Sequence, residues 1–398
     1  MTPRLVTIHP FDPWGSKIGG IESAIRTMFQ YAPADWPTAL IGATENPDQR
    51  PLGAWRELDF HEKKLAFYPI LKDLQPNQRR RIPLFLRFPL RLRREKFDLD
   101  NDVLIYHRIE PLAFASIPSS KKALIFHGDP DEITGPQSEV RWRHVPWLYR
   151  KMESLAVGRA DKIFAVSRRG VETLQKRYPK RREDIIFQPV WLSGESFHPA
   201  EDKDKVLTQV AERYGLPPNK RFVLFAGRWE KQKHPLLALE AFSQLAETER
   251  AIHLLLAGEG SLQAEMEQRI RRLNLSGRAH LLGPLPPERL AEAMQASCAL
   301  LMSSHFEGMP ILALEALACG LPVVSTAAGE IPAIIENGRS GRIVRDFTPP
   351  ALAEALRDVV SHPEPYRQKY CVQAASPYQP AAALAAFFAA LRQWSKTT

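Results

Sequence analysis

A chain of 398 residues, 44% hydrophobic and 25% charged, is long enough for two domains that each bury a core, and its composition excludes fibrous and disordered classes. The formal charge of +9 implies attraction to anions: nucleotides, phospholipid surfaces or nucleic acid, which are chemically alike at this level. Three scattered cysteines, Cys298, Cys319 and Cys371, exclude a disulfide framework and a cysteine zinc site, and they favour a reducing compartment.

The elements read in chain order as follows. The first half predicts strands at Leu5–Ile8, Ala39–Gly42, Val103–Tyr106, Ala123–Phe126, Ile163–Val166 and Ile185–Phe187. Its helix candidates are Ile21–Tyr31, Val145–Val157 and Arg169–Tyr178, and an irregular basic insertion spans about 46–102. No signal-peptide pattern precedes Leu5. A polar, charged patch from Pro199 to Lys220 reads as the interdomain linker. The second half alternates strands and helices more regularly. Strands fall at Phe222–Ala226, His253–Ala257, Ala279–Leu282, Ala299–Met302, Pro322–Thr326 and Arg342–Val344. Helices fall at Pro235–Ala246, Leu262–Leu273, Glu288–Ala296, Ile311–Ala318 and Ala351–Val360. The longest apolar run, Ala381 to Leu391, is far short of the ~20 residues that cross a bilayer.

This rhythm predicts an α/β fold of two Rossmann-like doubly wound domains facing a cleft. The expected division is 1–195, 196–375 and a C-terminal helical segment, 376–398, that returns to the first domain. In open α/β sheets ligands meet the carboxyl ends of the strands, so the residues just after strands carry the functional reading.

Two motifs stand there. Gly227-Arg228-Trp229-Glu230-Lys231-Gln232-Lys233 follows the first strand of the second domain. Arg228 and Lys233 put two cations at the mouth of the sheet, a fit for a diphosphate, although a charged surface loop has the same composition. Phe306-Glu307-Gly308-Met309-Pro310-Ile311 also follows a strand and opens a helix ending near Gly320. Glu307 precedes that helix and Glu315 lies on it, inside the apolar run Ile311 to Leu317, an odd place for an idle charge.

Together and in this order these motifs resemble the GT-B glycosyltransferases of family 4. There, Gly-Arg followed by Lys holds the donor diphosphate, and a Glu-x7-Glu motif holds sugar and ribose. The resemblance extends over most of the chain. Gly19-Gly20-Ile21-Glu22 looks like the family's glycine loop, and His127-Gly128-Asp129 stands where the family has a sugar-contacting histidine. Gly258 in Leu256-Ala257-Gly258 and Gly283 in Leu281-Leu282-Gly283 match nucleotide-binding strand ends. Tyr378 and the helix after Pro380 resemble the returning segment. The resemblance implies a retaining hexosyltransferase that uses a UDP- or GDP-sugar, a glycan or lipid-linked acceptor, and no cofactor or metal. It assigns His127, Glu307, Arg228 and Lys233 to catalysis. Gly19, Gly20, Gly227, Arg228, Lys233, Gly258, Gly283, Glu307, Gly308, Met309, Ile311 and Glu315 would bind the donor. His9, also just after a strand, keeps a structural reading.

Several positions depart from the family pattern. His234 replaces a small residue after the lysine, Pro310 a common glycine, Ala327-Ala328-Gly329 a Gly-Gly loop, and Gln188-Pro189-Val190 an Asn-Gly-Val segment. Other readings stay open. Asp129-Pro130-Asp131 follows a strand and could serve a metal-dependent GT-A glycosyltransferase. The GT-B fold also serves nucleotide-sugar epimerases. A nucleic-acid-binding role is disfavoured, because no recognised module accompanies the basic charge.

Within the insertion, the stretch 79–96 holds Arg79, Arg80, Arg81, Arg87, Arg91, Arg93, Arg94 and Lys96 against the single acid Glu95. As a helix it would put Arg87, Arg91 and Arg94 on one face, and Leu84, Phe88 and Leu92 on another. That pattern predicts contact with an anionic membrane through Arg87, Phe88, Arg91 and Arg94, with Pro83 and Pro89 breaking the helix into a kinked anchor. The expected location is the cytoplasm, peripheral on the membrane face.

Overall fold

The computed structural model describes residues 3–17, 19–75, 83–115, 117–119, 121–135, 141–192, 196–307 and 309–396. The chain divides into two compact units, Met1–Ser193 with Pro380–Thr398, and Gly194–Gln379. The sheet of the first unit contains β1 (Leu5–Ile8), β2 (Thr38–Thr44), β3 (Arg56–Phe60), β4 (Lys63–Lys72), β5 (Val103–Tyr106), β6 (Lys121–Phe126), β7 (Lys162–Ala165) and β8 (Ile185–Phe187). Its order is β3-β4-β2-β1-β5-β6-β7-β8, parallel except for the β3–β4 hairpin. The helices of its main segment are α1 (Gly20–Gln30), α2 (Leu84–Leu92), α3 (Ile109–Phe114), α4 (Pro130–Thr134), α5 (Pro146–Arg159) and α6 (Arg168–Arg177).

The second unit repeats the plan. Its strands are β9 (Arg221–Ala226), β10 (Ile252–Ala257), β11 (Ala279–Gly283), β12 (Ala299–Met302), β13 (Val323–Thr326) and β14 (Gly341–Val344). They are parallel throughout, in the order β11-β10-β9-β12-β13-β14. Its helices are α7 (Lys203–Arg213), α8 (Pro235–Thr248), α9 (Gln263–Arg272), α10 (Pro287–Gln295), α11 (Ile311–Ala318), α12 (Ile331–Ile334), α13 (Pro349–Ser361) and α14 (Gln368–Ala375). The last helix, α15 (Pro380–Lys396), belongs to the first unit. There Phe387 packs edge-on against Phe164, and the Gln188 amide donates to the Ala383 carbonyl at 3.2 Å.

Parallel strands covered on both faces need apolar residues at every position, and Leu5–Ile8, Ile252–Ala257 and Ala299–Met302 are buried end to end. Each sheet also has a strand from which the winding proceeds in both directions. β1 pairs with β2 on one side and β5 on the other, and β9 with β10 and β12. Loops leaving the carboxyl ends at such a switch point diverge and open a crevice.

Three expectations are corrected here. The span 46–102 is not irregular: it holds β3, β4 and α2. Its hairpin turns through His61-Glu62, with His61 at φ +51°, and this pair carries none of the Gly or Asn signals of such turns. The patch 199–220 is not a linker, since Asp202 caps α7 by accepting from the Lys205 N–H at 2.9 Å. α7 then buries Val210, and the Lys203 ammonium donates to the Ser297 carbonyl at 3.0 Å.

The third correction concerns α2, which is one continuous helix and not a kinked anchor. Pro83 stands at its N-cap, where no donor is needed, and Pro89 sits inside it at the loss of one hydrogen bond. Phe88 and Leu92 are fully buried in the core of the first unit, so Phe88 is not a membrane contact. The apolar stripe faces the protein because burying it there stabilises the fold by about 1.5–3 kcal/mol per large side chain. Arg91 is likewise held to the protein, donating to the Ile70 carbonyl at 3.2 Å and pairing with Glu95 at 3.1 Å. The outer side of α2 presents Leu90, 61% exposed, with Arg94 exposed just beyond the helix end. Arg79, Arg80 and Arg81 lie outside the described residues.

Candidate functional site

The second unit builds a candidate site where β9, β10, β11 and β12 end. Three glycines stand at the first three of these ends in a hydrogen-bonded row. The Gly227 N–H donates to the Ala257 carbonyl at 3.0 Å, and the Gly258 N–H to the Gly283 carbonyl at 2.8 Å. Gly258 has φ +139°, and a Cβ there would stand 2.0 Å from the Gly227 carbonyl oxygen. Only glycine permits that approach. Trp229 is buried beneath this row and donates its backbone N–H to the Glu259 carbonyl at 2.9 Å, leaving the Arg228 side chain exposed.

The chain then makes a 3-10 turn at Lys231–Lys233 and enters α8 through His234, which has φ +49°. A non-glycine residue in that region is strained and needs outside support. Ser303 supplies it: its hydroxyl lies 2.9 Å from the Lys233 carbonyl oxygen and 2.8 Å from that of His234. The Gln232 amide donates to the Phe306 carbonyl at 3.1 Å, and the His305 N–H donates to the Gln232 carbonyl at 3.0 Å. The His234 ring meets that of His305 edge-on at 4.4 Å, and His305 stacks on Phe347 at 5.2 Å.

These bonds lash the loop after β9 to the loop after β12, and the result is an ion pair. Lys233 Nζ lies 2.6 Å from Glu307 Oε1, which also accepts from the Ser304 hydroxyl at 2.6 Å. Glu307 is buried and Lys233 only partly so, so the cation is the partner that faces outward. Met309 and Ile311 lie at the opening of α11. Glu315 is one turn further along, where burial pushes its carboxyl up to about 8. Gly308 lies outside the described residues. The sequence-derived set of Gly227, Arg228, Lys233, Gly258, Gly283, Glu307, Met309, Ile311 and Glu315 thus comes from the carboxyl ends of four strands and the helix that follows one of them. The ring group of His234, His305 and Phe347 was not legible as a unit, because its members are far apart in sequence.

The first unit has a constellation of its own, at its own switch point. Gly19 is the N-cap of α1 and Gly20 its first residue. Glu22, in the first turn, lies 3.0 Å from Lys17 Nζ and 3.3 Å from His9 Nε2. Burial alone would raise the Glu22 carboxyl, but the His9 hydrogen bond and the Lys17 charge hold it well below the usual range. His9, His107 and His127 each follow a strand, and β1, β5 and β6 are neighbours, so three histidines converge. Ile8 is level with Tyr106, which places His9 beside His107, whereas β6 runs two residues further before His127. His107 Nδ1 nevertheless lies 2.8 Å from His127 Nε2. Burial lowers His9 to about 4 and His127 to about 3, so both rings are neutral at pH 7. Neither His9 nor His107 was placed in the site from sequence. A histidine directly after each of three parallel strands was the available signal, but strand order is needed to bring them together.

Asp129 and Asp131, weighed as a metal pair, are engaged by cations. Asp129 pairs with Arg169 at 3.0 Å, and Asp131 with Arg177 and with Arg150 at 3.5 Å. Among the described residues no cluster of three metal-binding side chains is found.

Residues 208–375 match the family model described as glycosyl transferases group 1. This segment contains the Lys233–Glu307 pair. The chain is 28% identical over 220 residues to a D-inositol 3-phosphate glycosyltransferase from Streptomyces avermitilis, covering 53% of this chain and 47% of that protein. It spans about half the length of the curated relatives it matches. Among solved structures it is similar to sucrose-phosphate synthase from Thermosynechococcus elongatus, with a TM-score of 0.75 at 17% identity over 98% of this chain and 99% of that one. It is also similar to Anabaena HepE in complex with UDP-glucose, with a TM-score of 0.70 at 16% identity over the same shares. The GT-B fold common to these structures replaces the GT-A alternative. The second unit therefore carries a segment of the glycosyl transferases group 1 type, and the chain has the GT-B fold of the similar structures.

Proposed function

We propose that this protein is a retaining glycosyltransferase that moves a hexosyl unit from a UDP- or GDP-sugar to an acceptor hydroxyl, on a lipid-linked or polysaccharide acceptor in surface glycan synthesis. The observation that carries this reading is the outward-facing Lys233, paired with a Glu307 that also accepts from Ser304, on the same loop as the exposed Arg228 inside the family-matched segment. Similar structures hold UDP and UDP-glucose, which supports a nucleotide-sugar donor.

In this reading the bond from the anomeric carbon to the diphosphate breaks, and its electron pair leaves on a phosphate oxygen. Arg228, Lys233 and the amides at Gly19 and Gly20 stabilise that charge without a metal. The acceptor oxygen bonds to the same face of the anomeric carbon, and its proton goes to the departing phosphate. Glu307 and His127 orient the sugar, and Glu315 accepts from the ribose hydroxyls.

The test is a panel of UDP- and GDP-sugars scored for thermal stabilisation and slow hydrolysis. A true donor at 100 times its Kd should add about 2.7 kcal/mol to stability and release nucleoside diphosphate. If no member does either, the reading fails. Mass spectrometry of the products separates transfer from epimerisation, since an epimerase alters the donor without an acceptor.

A peripheral site on an anionic membrane face belongs to the same proposal, now through Arg87, Arg94 and the exposed Leu90 in place of Phe88. No helix among the described residues is long and apolar enough to cross a membrane. Flotation with anionic vesicles should be lost on changing Arg87 and Arg94 to Glu, and equal flotation would remove this part.

A further inference from the structure

Of the three histidines at the switch point of the first unit, His107 has no assigned part. It is buried, belongs to no motif of the sequence reading, and its Nδ1 lies 2.8 Å from Nε2 of His127. The two rings are nearly coplanar, 21° apart with centroids 5.1 Å from each other, so they meet edge to edge through one hydrogen bond. Its other nitrogen, Nε2, is buried with no hydrogen-bond partner among the described residues. On its far side stands His9, edge-on at 6.1 Å, whose Nε2 faces the Glu22 carboxylate.

Burial keeps all three rings neutral, and a neutral imidazole carries one N–H and one lone pair. Glu22 accepts, so the His9 proton is on Nε2. Between His107 and His127 a single proton occupies the 2.8 Å contact, and it has two possible owners. If His127 donated it from Nε2, the proton of His107 would be on its own Nε2, a buried donor with nothing to receive it. If His107 donates from Nδ1, the unpartnered Nε2 is only a bare lone pair. Orphaned buried N–H groups are the rarer and costlier of the two. The second arrangement puts the remaining proton of His127 on Nδ1.

We propose that His107 is a positioning residue that holds His127 as its Nδ1–H tautomer, so that His127 offers a hydrogen-bond donor, not an acceptor, to an oxygen of the transferred sugar. The use of that donor rests on the glycosyl-transfer reading above; the tautomer does not. A second-layer hydrogen bond that fixes which imidazole nitrogen carries the proton is a general device for making one ring do one job.

The test has a spectroscopic arm and a kinetic arm. Nitrogen–proton correlation spectra of histidine-labelled protein, with the His127 signals assigned by their loss in His127→Gln, report its tautomer without any substrate. In the wild type His127 should be a single neutral species protonated at Nδ1. His107→Phe keeps an aromatic ring of similar volume but has no donor, and should give a mixed or reversed tautomer. His107→Asn, whose amide nitrogen can take the place of Nδ1–H, should restore the wild-type signal. Turnover should fall roughly ten-fold or more in His107→Phe, with donor KM unchanged, and recover in His107→Asn. A wild-type His127 protonated at Nε2, or an unaltered tautomer in a folded His107→Phe, would overturn the proposal. Failure of every nucleotide-sugar to react would instead count against the glycosyl-transfer reading, because the spectra decide the tautomer independently.

Discussion

Lys233 and Glu307 show how a site can hold opposite charges in reserve. The 2.6 Å ion pair keeps the ammonium in place, and the partly buried setting makes a second, anionic partner worth more than it would be in water. In the proposed reaction Lys233→Ala or Arg228→Ala should lower turnover about 10²-fold while far-ultraviolet circular dichroism stays unchanged. Near-normal turnover in both would end the diphosphate assignment. Glu315 gives a prediction in pH. Its folded-state value of about 8 lies above the ordinary 4.5, so between those limits the folded protein retains a proton that the unfolded chain releases. Stability from this group is therefore full below about pH 4.5 and is lost as pH rises toward 8. Glu315→Gln should raise Tm relative to wild type at pH 8 and lose that advantage near pH 5, as measured by calorimetry across the range. The buried histidines have the opposite sign. His9 at about 4 and His127 at about 3 stay neutral while their unfolded forms take up protons, so acidification from about 6.5 to 4 destabilises the fold. Replacing His9 by Gln should flatten that limb of the stability curve.

At the scale of elements, α2 shows why amphipathic character does not by itself name the partner. Leu84, Phe88 and Leu92 recur at helical spacing, which fits a bilayer and a protein core equally well. In the fold Phe88 and Leu92 join the core of the first unit, and Arg91 is tied to β4 through the Ile70 carbonyl. Phe88→Ala should cost about 3–5 kcal/mol in urea unfolding, whereas Leu90→Ala, on the exposed side, should change stability little and weaken vesicle binding. A small stability loss in Phe88→Ala would contradict the buried placement. α7 makes the complementary point. Its sequence is polar and charged, yet the Asp202 cap and the single buried Val210 are enough to form and dock it.

For the molecule as a whole, each unit has its own sheet and core, and the chain passes into the second unit and returns in α15. Phe387, fully buried, packs on Phe164 and Trp191 of the first unit. Phe387→Ala should therefore reduce hydrogen-exchange protection in 1–193 and 380–398 and spare 194–379. Uniform loss across both units would argue against separate cores. Much of this plan was legible in the sequence. Continuous apolar strands and periodic helices are local signals, so the six strands of the second half and the five helices read between them emerged nearly residue for residue, and the glycine, cation and glutamate motifs marked the strand ends. β3 was missed because a charged edge strand and a His-Glu turn lack those signals, whereas β4 carries an apolar run, Leu65 to Leu71, interrupted by Pro69. What the sequence by itself determined was therefore the parallel strands other than β4, the longer helices between them and the residues that follow those strands, because all depend on neighbours a few positions away. Only the tertiary structure decided that Lys233 meets Glu307, that Phe88 faces inward, and that His9, His107 and His127 share one end of a sheet. Those facts follow from strand order and from which apolar face finds a partner, and both are set by contacts between residues remote in the chain.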